Sequence, residues 1–533
     1  MVSADLEDVC PTDEFEAVTG TGEFPAVKGE RRAGRHRQRR QLPAYRLLPL
    51  MVILGVQAGL SLRLIWSNTA FMDEALYLWA GRLEWAHWLH GAPIPVLATY
   101  FSGAPAVYPP LGALANDVGG LVAARTLSLL FMLGATVLLY SVAQRLFNYR
   151  IAVIAAAVFG FLGPTHFLGA LATYDAMAVF LLALAAWLAI RPGGRWGELA
   201  LIACALSLVL ADAAKYASLL WNPVVIALAV LGPPAIWPST SRARALTAAG
   251  RGIRLVVYVV AMVLPLLFLV GGRSYVTGLM FTTISRGIPG TNTPLSVLTA
   301  AYEWIGVVFV LALLGFILSL SAGDKRISWL CGILAAAALL APLNQARLHT
   351  VVSLQKHVVF GAWFAAIAVG YAAEAMLRVN PLKGWRVAAL ALCALLTFGV
   401  PQATGMFVVW PNASGMTREL SVALSRSKCP CLISEDSVAS YYLPHQLPEA
   451  AQITTPYSFY YWDAATRREL VGNPAYEQAI KDGYFGVIEI DDVENTLTYA
   501  AVTHALAGAH NYKLLATVPA SNQRKPFSIW IRR

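Results

Sequence analysis

The chain has 533 residues, of which 57% are hydrophobic and 13% are charged, and its formal net charge is +10. Soluble globular domains carry about 25% charged residues, so this composition excludes an ordinary soluble protein and predicts a polytopic membrane protein. The basic balance does not indicate nucleic acid as a partner. A basic run in front of a membrane helix typically lies on the cytoplasmic side and contacts anionic membrane lipid.

That basic run, "ERRAGRHRQRRQ", closes the first segment, residues 1–43. Acids, Thr and Gly without any apolar run make up its beginning, so we expect a disordered cytoplasmic tail. The first apolar stretch begins near residue 44. It is long enough to span a bilayer, and no cleavable signal peptide is evident.

Eleven apolar segments follow, and each is a candidate for crossing the membrane, which takes about 20 apolar residues. They are residues 44–66, 121–146, 151–164, 175–190, 198–212, 216–232, 253–271, 297–320, 327–343, 356–377 and 386–406. Three of them are short (151–164, 175–190 and 198–212). Short clusters of Arg and Lys follow the even-numbered segments, which places these loops in the cytoplasm. The count of eleven therefore predicts an extracytoplasmic C-terminal region.

Only ten of the 30 acids lie in residues 44–410, the predicted transmembrane domain. Seven of the ten fall at the ends that the count places outside: Asp73, Glu74, Glu84, Asp117, Asp175, Asp212 and Glu303. Ionisable groups at a membrane are costly and by default indicate a functional site. We therefore expect any active surface to face outward.

The first outer loop, residues 67–120, is too long for a simple connection. Leu and Trp recur at helical spacing in "DEALYLWAGRLEWAHWLHG", which predicts an amphipathic helix on the outer leaflet. Asp73 and Glu74 lie at its start, where Asp73 has an alternative role as a helix cap only. Tyr108, Pro109 and Pro110 predict a rigid, extended approach to the second span.

A second acid, Asp175, begins the fourth predicted span, and it too has capping as an alternative. Two acids at one face suit a site that deprotonates a hydroxyl or that holds a divalent metal cation between Asp73 and Asp175. Cations lie at the same face. Lys215, Arg347, Lys356 and His357 are the cationic candidates for this face. Their alternative role is snorkelling to lipid headgroups.

Residues 411–533 carry more charge and shorter apolar runs. Segments such as "FGVIEID" and "FSIWIRR" read as strands, whereas "NPAYEQAIKDG" reads as a helix. This alternation predicts a small α/β domain on the outer face. It contains no catalytic triad, P-loop or clear metal cluster.

Five short motifs in this order resemble the GT-C membrane glycosyltransferases, and most of all the bacterial branch of glycosyltransferase family 39. They are "MDEALY", "YPPLGAL", "ATYDAMAVF", "AKYASLLWNP" and "LQKHVVFGAWFAA". That branch includes protein O-mannosyltransferases and the lipid A aminoarabinose transferases. The resemblance covers roughly residues 44–406. It implies a mainly α GT-C fold with about 11 transmembrane helices.

The resemblance also implies an enzyme, an inverting hexosyl- or pentosyltransferase. Such an enzyme moves a sugar from a polyprenyl-phosphate donor to a hydroxyl of a protein, lipid or cell-envelope glycan. Asp73 matches the family's first-loop acid, which acts as general base and as part of any metal site. Glu74 matches its partner and Asp175 the second-loop acid. Because such a donor carries a phosphate, Lys215, Arg347, Lys356 and His357 are candidates for binding the donor phosphate. We expect the C-terminal domain to bind the acceptor on the outer face. One departure is Tyr108, since the aminoarabinose transferases carry Lys before the Pro-Pro pair.

The main rival is a secondary transporter, and a flippase of lipid-linked sugars is a further alternative because it handles the same carrier. Transporters place their acids near the bilayer midplane and show repeated halves. Here the acids gather at one face and no internal repeat is evident. The pattern therefore favours the enzyme.

Overall fold

A computed structural model describes residues 47–191, 195–232, 242–269, 272–281, 290–447, 452–457, 459–492, 496–520 and 525–533. The predicted tail, residues 1–43, lies outside these ranges. The described chain is mainly helical, and its strands occur from residue 431 onward.

Fifteen helices precede the C-terminal α/β region within the described ranges. They are α1 (Leu48–Ile65), α2 (Met72–His90), α3 (Tyr108–Leu146), α4 (Tyr149–Gly160), α5 (Gly163–Leu168), α6 (Tyr174–Ala189), α7 (Arg195–Ala214), α8 (Asn222–Leu231), α9 (Arg242–Leu269), α10 (Gly272–Met280), α11 (Pro294–Leu320), α12 (Lys325–Ala336), α13 (Leu340–Arg347), α14 (Leu354–Val379) and α15 (Pro381–Val409).

Eight described helical stretches are long and apolar enough to cross a membrane, and three shorter apolar helices accompany them. All eleven lie at the segments predicted from the sequence. The lengths differ in one place: the predicted short segment 198–212 is the full-length helix α7, whereas the segment at 216–232 contains only α8 after a 3-10 turn. The fold class predicted for the membrane region is confirmed.

The predicted first outer loop is largely helical. The predicted amphipathic helix is α2, and its half-buried and exposed face carries the Trp side chains and every Leu except Leu78, which is fully buried. The opposite face packs on α3, where Gly81 lies so close to the Pro109 carbonyl that a β-carbon would collide with it. The predicted extended approach is wrong. Tyr108–Pro110 form the first turn of α3, where a proline's missing N–H costs no helical hydrogen bond.

Helix α14 is the central helix of the bundle, since 89% of its most apolar stretch is buried. Small residues on α14 allow this burial: Gly361 and Gly370 lie against the backbone of neighbouring helices. Its N-terminal turn carries Lys356 and its last turn carries Arg378. Because 26 helical residues extend about 39 Å, the helix connects the two ends of the bundle.

The C-terminal region is a three-layer α/β domain. Its strands are β1 (Cys431–Ile433), β2 (Ile453–Thr454), β3 (Tyr460–Asp463), β4 (Arg468–Val471), β5 (Val487–Ile490), β6 (Tyr512–Val518) and β7 (Phe527–Arg532), and its helices are α16 (Ser414–Arg426), α17 (Asp436–Tyr442), α18 (Asn473–Lys481) and α19 (Thr496–Gly508). Five strands form one sheet in the order β2-β1-β5-β7-β6, with β2, β1 and β5 parallel. A disulfide joins Cys429 to Cys431 just before and within β1.

Alternation along the strands divides the domain into two apolar clusters. One face of the sheet packs under α16 and α17 and continues into Ala75 and Leu78 of α2. The other face packs under α18 and α19. The domain therefore lies directly on helix α2.

Candidate functional site

Two Asp–Lys ion pairs lie at the end of the bundle where the C-terminal domain sits. Asp73, in the first turn of α2, accepts a hydrogen bond from the Lys356 ammonium at the start of α14. Asp175, in the first turn of α6, lies 2.9 Å from the Lys215 ammonium, which follows α7. Both carboxylates occupy helix N-termini, where the helix dipole stabilises negative charge.

Burial separates the roles of the two acids. The side chain of Asp73 is 24% exposed, whereas that of Asp175 is fully enclosed and the two lysine side chains are 3–4% exposed. Asp73 is therefore the carboxylate of this group that a solvent-borne substrate can reach. Charges this deeply buried persist only when paired, which explains why each lysine lies on an acid.

Neither aspartate acts as a helix cap. The N-cap of α2 is Phe71, and its backbone N–H donates to Glu74 rather than to Asp73. Neither carboxylate oxygen of Asp175 accepts a backbone hydrogen bond. The capping alternative is thus wrong for both residues, and their carboxylates remain directed at the lysines.

Aromatic rings enclose both pairs. The Lys215 ammonium lies 4.6 Å from the centroid of the Tyr174 ring, on which Tyr77 stacks at 4.5 Å. The Lys356 ammonium lies 5.4 Å from the Phe71 ring. Rings over an ammonium stabilise its charge without neutralising it, so the aromatic rings support the buried positive charge of both lysines.

Glu74 has a different environment from its neighbour Asp73. Its side chain is fully buried, and its four hydrogen bonds come from Arg125 Nε and Nη2 and from the backbone N–H groups of Phe71 and Ala172. All of its acceptor positions are used. The structure therefore places Glu74 in the framework below the site, and not beside a substrate as the catalytic interpretation expects.

Arg125 is not among the residues predicted for the site, although it is a charged residue inside the second predicted span and such residues are rare. Arg125 is fully buried and uses all five N–H donors: two on Glu74 and three on the carbonyls of Ile65, Asn68 and Thr69. It thus ties the segment between α1 and α2 to α3.

The remaining predicted site residues are distributed unevenly. His357 is half-buried next to Lys356, and its Nε2 has no hydrogen-bond partner. Arg347 is exposed on α13, where it donates to the side chain of Asn344. The structure therefore gives no contact between Arg347 and either ion pair.

The motif around Tyr108 also supports the site from below. The ring of Tyr108 is fully buried and lies edge-on to Tyr77, with ring centroids 6.4 Å apart. Pro109 and Pro110 are buried, and the Pro110 carbonyl accepts a hydrogen bond from Trp85. These residues fix α2 against α3 and present no cation to a phosphate.

The predicted metal pair, Asp73 and Asp175, fits a divalent cation poorly as arranged. Each carboxylate already has an ammonium within hydrogen-bond distance, and a second cation beside it would be repelled. Within the described ranges, no group of three or more His, Cys, Asp or Glu side chains is placed to hold a metal.

Basic side chains occupy the opposite end of the bundle. Arg150 and Arg378 pair with Glu374, while Arg251 and Arg326 donate to carbonyls at the ends of α6 and α8. The acids of the candidate site and these basic clusters thus lie at the two ends of α14. This is the charge asymmetry on which the predicted orientation depends.

Neither protein-family models nor curated proteins match this sequence. Solved structures do match the fold. ArnT from Cupriavidus metallidurans bound to undecaprenyl phosphate superposes with a TM-score of 0.59 and 13% identity, covering 91% of this chain and 98% of ArnT. Its apo structure gives a TM-score of 0.58 and 14% identity, covering 90% and 97%.

A third match is the oligosaccharyltransferase AglB from Archaeoglobus fulgidus, in complex with an inhibitory peptide and a dolichol-phosphate. Its TM-score is 0.54 at 12% identity, and the match covers 87% of this chain and 72% of AglB. The chain therefore has the GT-C fold, as its motifs predict.

Proposed function

We propose that this chain, which has the GT-C fold, is a membrane glycosyltransferase that moves a sugar from a polyprenyl-phosphate donor to a hydroxyl acceptor. The observation that carries the proposal is the pair of Asp–Lys contacts, Asp73–Lys356 and Asp175–Lys215, at one end of an apolar bundle. Structurally similar ArnT and AglB structures hold undecaprenyl phosphate and a dolichol-phosphate, which supports this donor class.

The donor's chemistry suits this location. A polyprenyl-phosphate sugar has an apolar tail that partitions into the bilayer and an anionic phosphate that stays at its surface. Buried lysines at the end of the bundle offer the phosphate a cation in a poorly solvated site, where electrostatic stabilisation is strong. The exposed edge of Asp73 leaves the acceptor an approach from water.

In the proposed reaction, the Asp73 carboxylate takes the proton of the acceptor hydroxyl as its oxygen attacks the anomeric carbon. The bond from that carbon to the phosphate oxygen breaks, and its electron pair leaves with the polyprenyl phosphate. Lys356 and Lys215 stabilise the charge that grows on this oxygen. Attack from the face opposite the phosphate inverts the anomeric configuration.

The remaining residues of the site act by positioning Asp73 and the two lysines or by contacting the donor. Asp175 is enclosed, so its role is to orient and charge-balance Lys215. Glu74 and Arg125 hold the start of α2 and thus position Asp73. His357 is a further contact for the donor through its free Nε2, and Arg347 is at most a peripheral one. No step of this scheme requires a metal.

The proposal covers hexosyl and pentosyl donors and protein, lipid or glycan acceptors. It also places the N-terminus in the cytoplasm and the C-terminal domain outside, where an acceptor is met. The alternative of a transporter or a flippase of lipid-linked sugars differs in one respect: it moves its cargo without breaking the sugar–phosphate bond.

The test uses the full chain in proteoliposomes with radiolabelled polyprenyl-phosphate mannose, and then arabinose and glucose carriers, in the presence of envelope acceptors. Asp73→Asn is compared with Asp117→Asn, a matched control whose carboxylate is 59% exposed at the same end of the bundle. Label that leaves the lipid with wild type and the control, but not with Asp73→Asn, supports the enzyme. Labelled lipid that crosses the bilayer intact establishes the flippase instead.

A further inference from the structure

The segment that leads to Asp73, residues 66–71, is bonded to distant parts of the chain. Asn68 donates to the Phe407 and Trp410 carbonyls of the last membrane helix and its end. The Thr69 carbonyl accepts from the Trp410 indole at 3.1 Å and from Arg125 at 3.0 Å. A connection of this length is normally mobile, so these bonds indicate that its position matters.

The C-terminal domain contributes one of these bonds. The Tyr442 hydroxyl, on α17, accepts the backbone N–H of Ala70 at 2.9 Å. Ala70 is 2% exposed, so its N–H depends largely on this partner inside the protein. The next N–H, that of Phe71, donates to Glu74 at 2.8 Å. The two bonds together fix the backbone at Ala70 and Phe71, directly before α2 begins at Met72, one residue before Asp73.

The position of α17 does not depend on that hydroxyl. The neighbouring Tyr441 donates to the Asn116 side chain at 2.6 Å, and the Arg82 guanidinium lies over the Tyr441 ring. Since α17 also packs on α2 through the shared apolar cluster, it stays docked when the Tyr442 hydroxyl is removed.

We infer that the C-terminal domain positions the proposed catalytic base, with Tyr442 acting through Ala70 on Asp73. This inference rests on the proposed function and gives the domain a part in the reaction besides binding an acceptor. Tyr442 contacts no reacting atom, so it is a positioning residue. Its removal is expected to slow the chemical step and to leave substrate binding unchanged.

The test is Tyr442→Phe in the full chain, with Tyr441→Phe as the matched control. Both variants lose one tyrosine hydroxyl from the same helix, but only the first loses a bond to the segment before Asp73. We expect Tyr442→Phe to lower kcat roughly fivefold, the effect of one buried hydrogen bond, with each KM within about twofold of wild type. Amide hydrogen exchange across residues 68–75 should accelerate in Tyr442→Phe only.

An unchanged kcat in Tyr442→Phe, or exchange at residues 68–75 equal to that of Tyr441→Phe, overturns the inference. If wild type transfers no sugar from any donor, the proposed function fails, and the exchange measurement alone decides whether Tyr442 orders the segment. Trp410→Phe, which removes the indole bond to Thr69 from the end of α15, is measured beside Tyr442→Phe. A change of kcat and exchange in Trp410→Phe but not in Tyr442→Phe overturns the part given to the C-terminal domain.

Discussion

Substitution of Glu74 by Gln separates a structural from a catalytic role for the second residue of the Asp-Glu pair. The carboxylate accepts four hydrogen bonds of 2.7–2.8 Å and is the counter-ion of a fully buried arginine. An amide keeps one accepting oxygen. Its NH2 group would face two of the four donors, so two bonds are lost and Arg125 keeps an unpaired charge.

The expected cost follows from this arrangement. Removing one partner of a buried ion pair destabilises a protein by about 3–5 kcal/mol, because the remaining charge is left without compensation. We therefore expect Glu74→Gln to lower the melting temperature of the detergent-solubilised chain. Asp73→Asn should abolish transfer, and because it leaves the buried Lys356 ammonium without its counter-ion it should lower the melting temperature as well.

The assay is a thermal unfolding curve for both variants beside the sugar-transfer rate at a temperature where wild type is folded. A double-mutant cycle with Arg125→Gln provides a second measurement. Arg125→Gln should lower the free energy of unfolding by less in the Glu74→Gln background than in wild type, because the counter-ion of Arg125 is already absent there. A Glu74→Gln protein that melts like wild type yet transfers no sugar would refute this reasoning and restore Glu74 to the catalytic group.

Further predictions concern the lysines, the metal and the C-terminal domain. Lys215→Met should lower kcat by about 10²–10³, as expected when a cation is removed from a developing anion, and a rate within threefold of wild type contradicts this. A chelator such as EDTA should leave the transfer rate unchanged because an ammonium already lies beside each carboxylate; a loss that Mn²⁺ restores would show that a metal displaces a lysine. Burial, and then the nearby Asp491, raise the pKa of Glu489 to about 8. Between the ordinary value of 4.5 and about 8, the folded domain thus holds a proton that the unfolded chain has released, so its stability falls as the pH rises through this window. Glu489→Gln imitates the protonated carboxyl and keeps an acceptor for the Ser434 and Glu435 N–H groups. In thermal unfolding between pH 5 and 8, this variant should show a weaker dependence of stability on pH. A dependence equal to that of wild type would show that Glu489 is not its cause.

Much of the membrane architecture is determined by the sequence alone. A membrane span needs about 20 apolar residues, and the length of an apolar segment can be read from the sequence without knowledge of any tertiary contact. All eleven segments are found as helices, and the basic loops and the acids occupy opposite ends of the bundle. The α/β alternation after residue 411 is local in the same sense, since it depends on periodicity and turn residues.

The composition of the site was decided by tertiary structure. Asp73 and Lys356 are 283 residues apart, and Glu74 meets Arg125 across 51 residues. Adjacent carboxylates in one sequence motif were separated because successive helical residues point about 100° apart, so Asp73 faces the lysines while Glu74 turns into the bundle. The same physics applies to Tyr442, whose hydroxyl meets Ala70 only because α17 docks on α2. The spacing of residues along the chain does not predict such long-range contacts. Tertiary packing determines which charged side chains share a site.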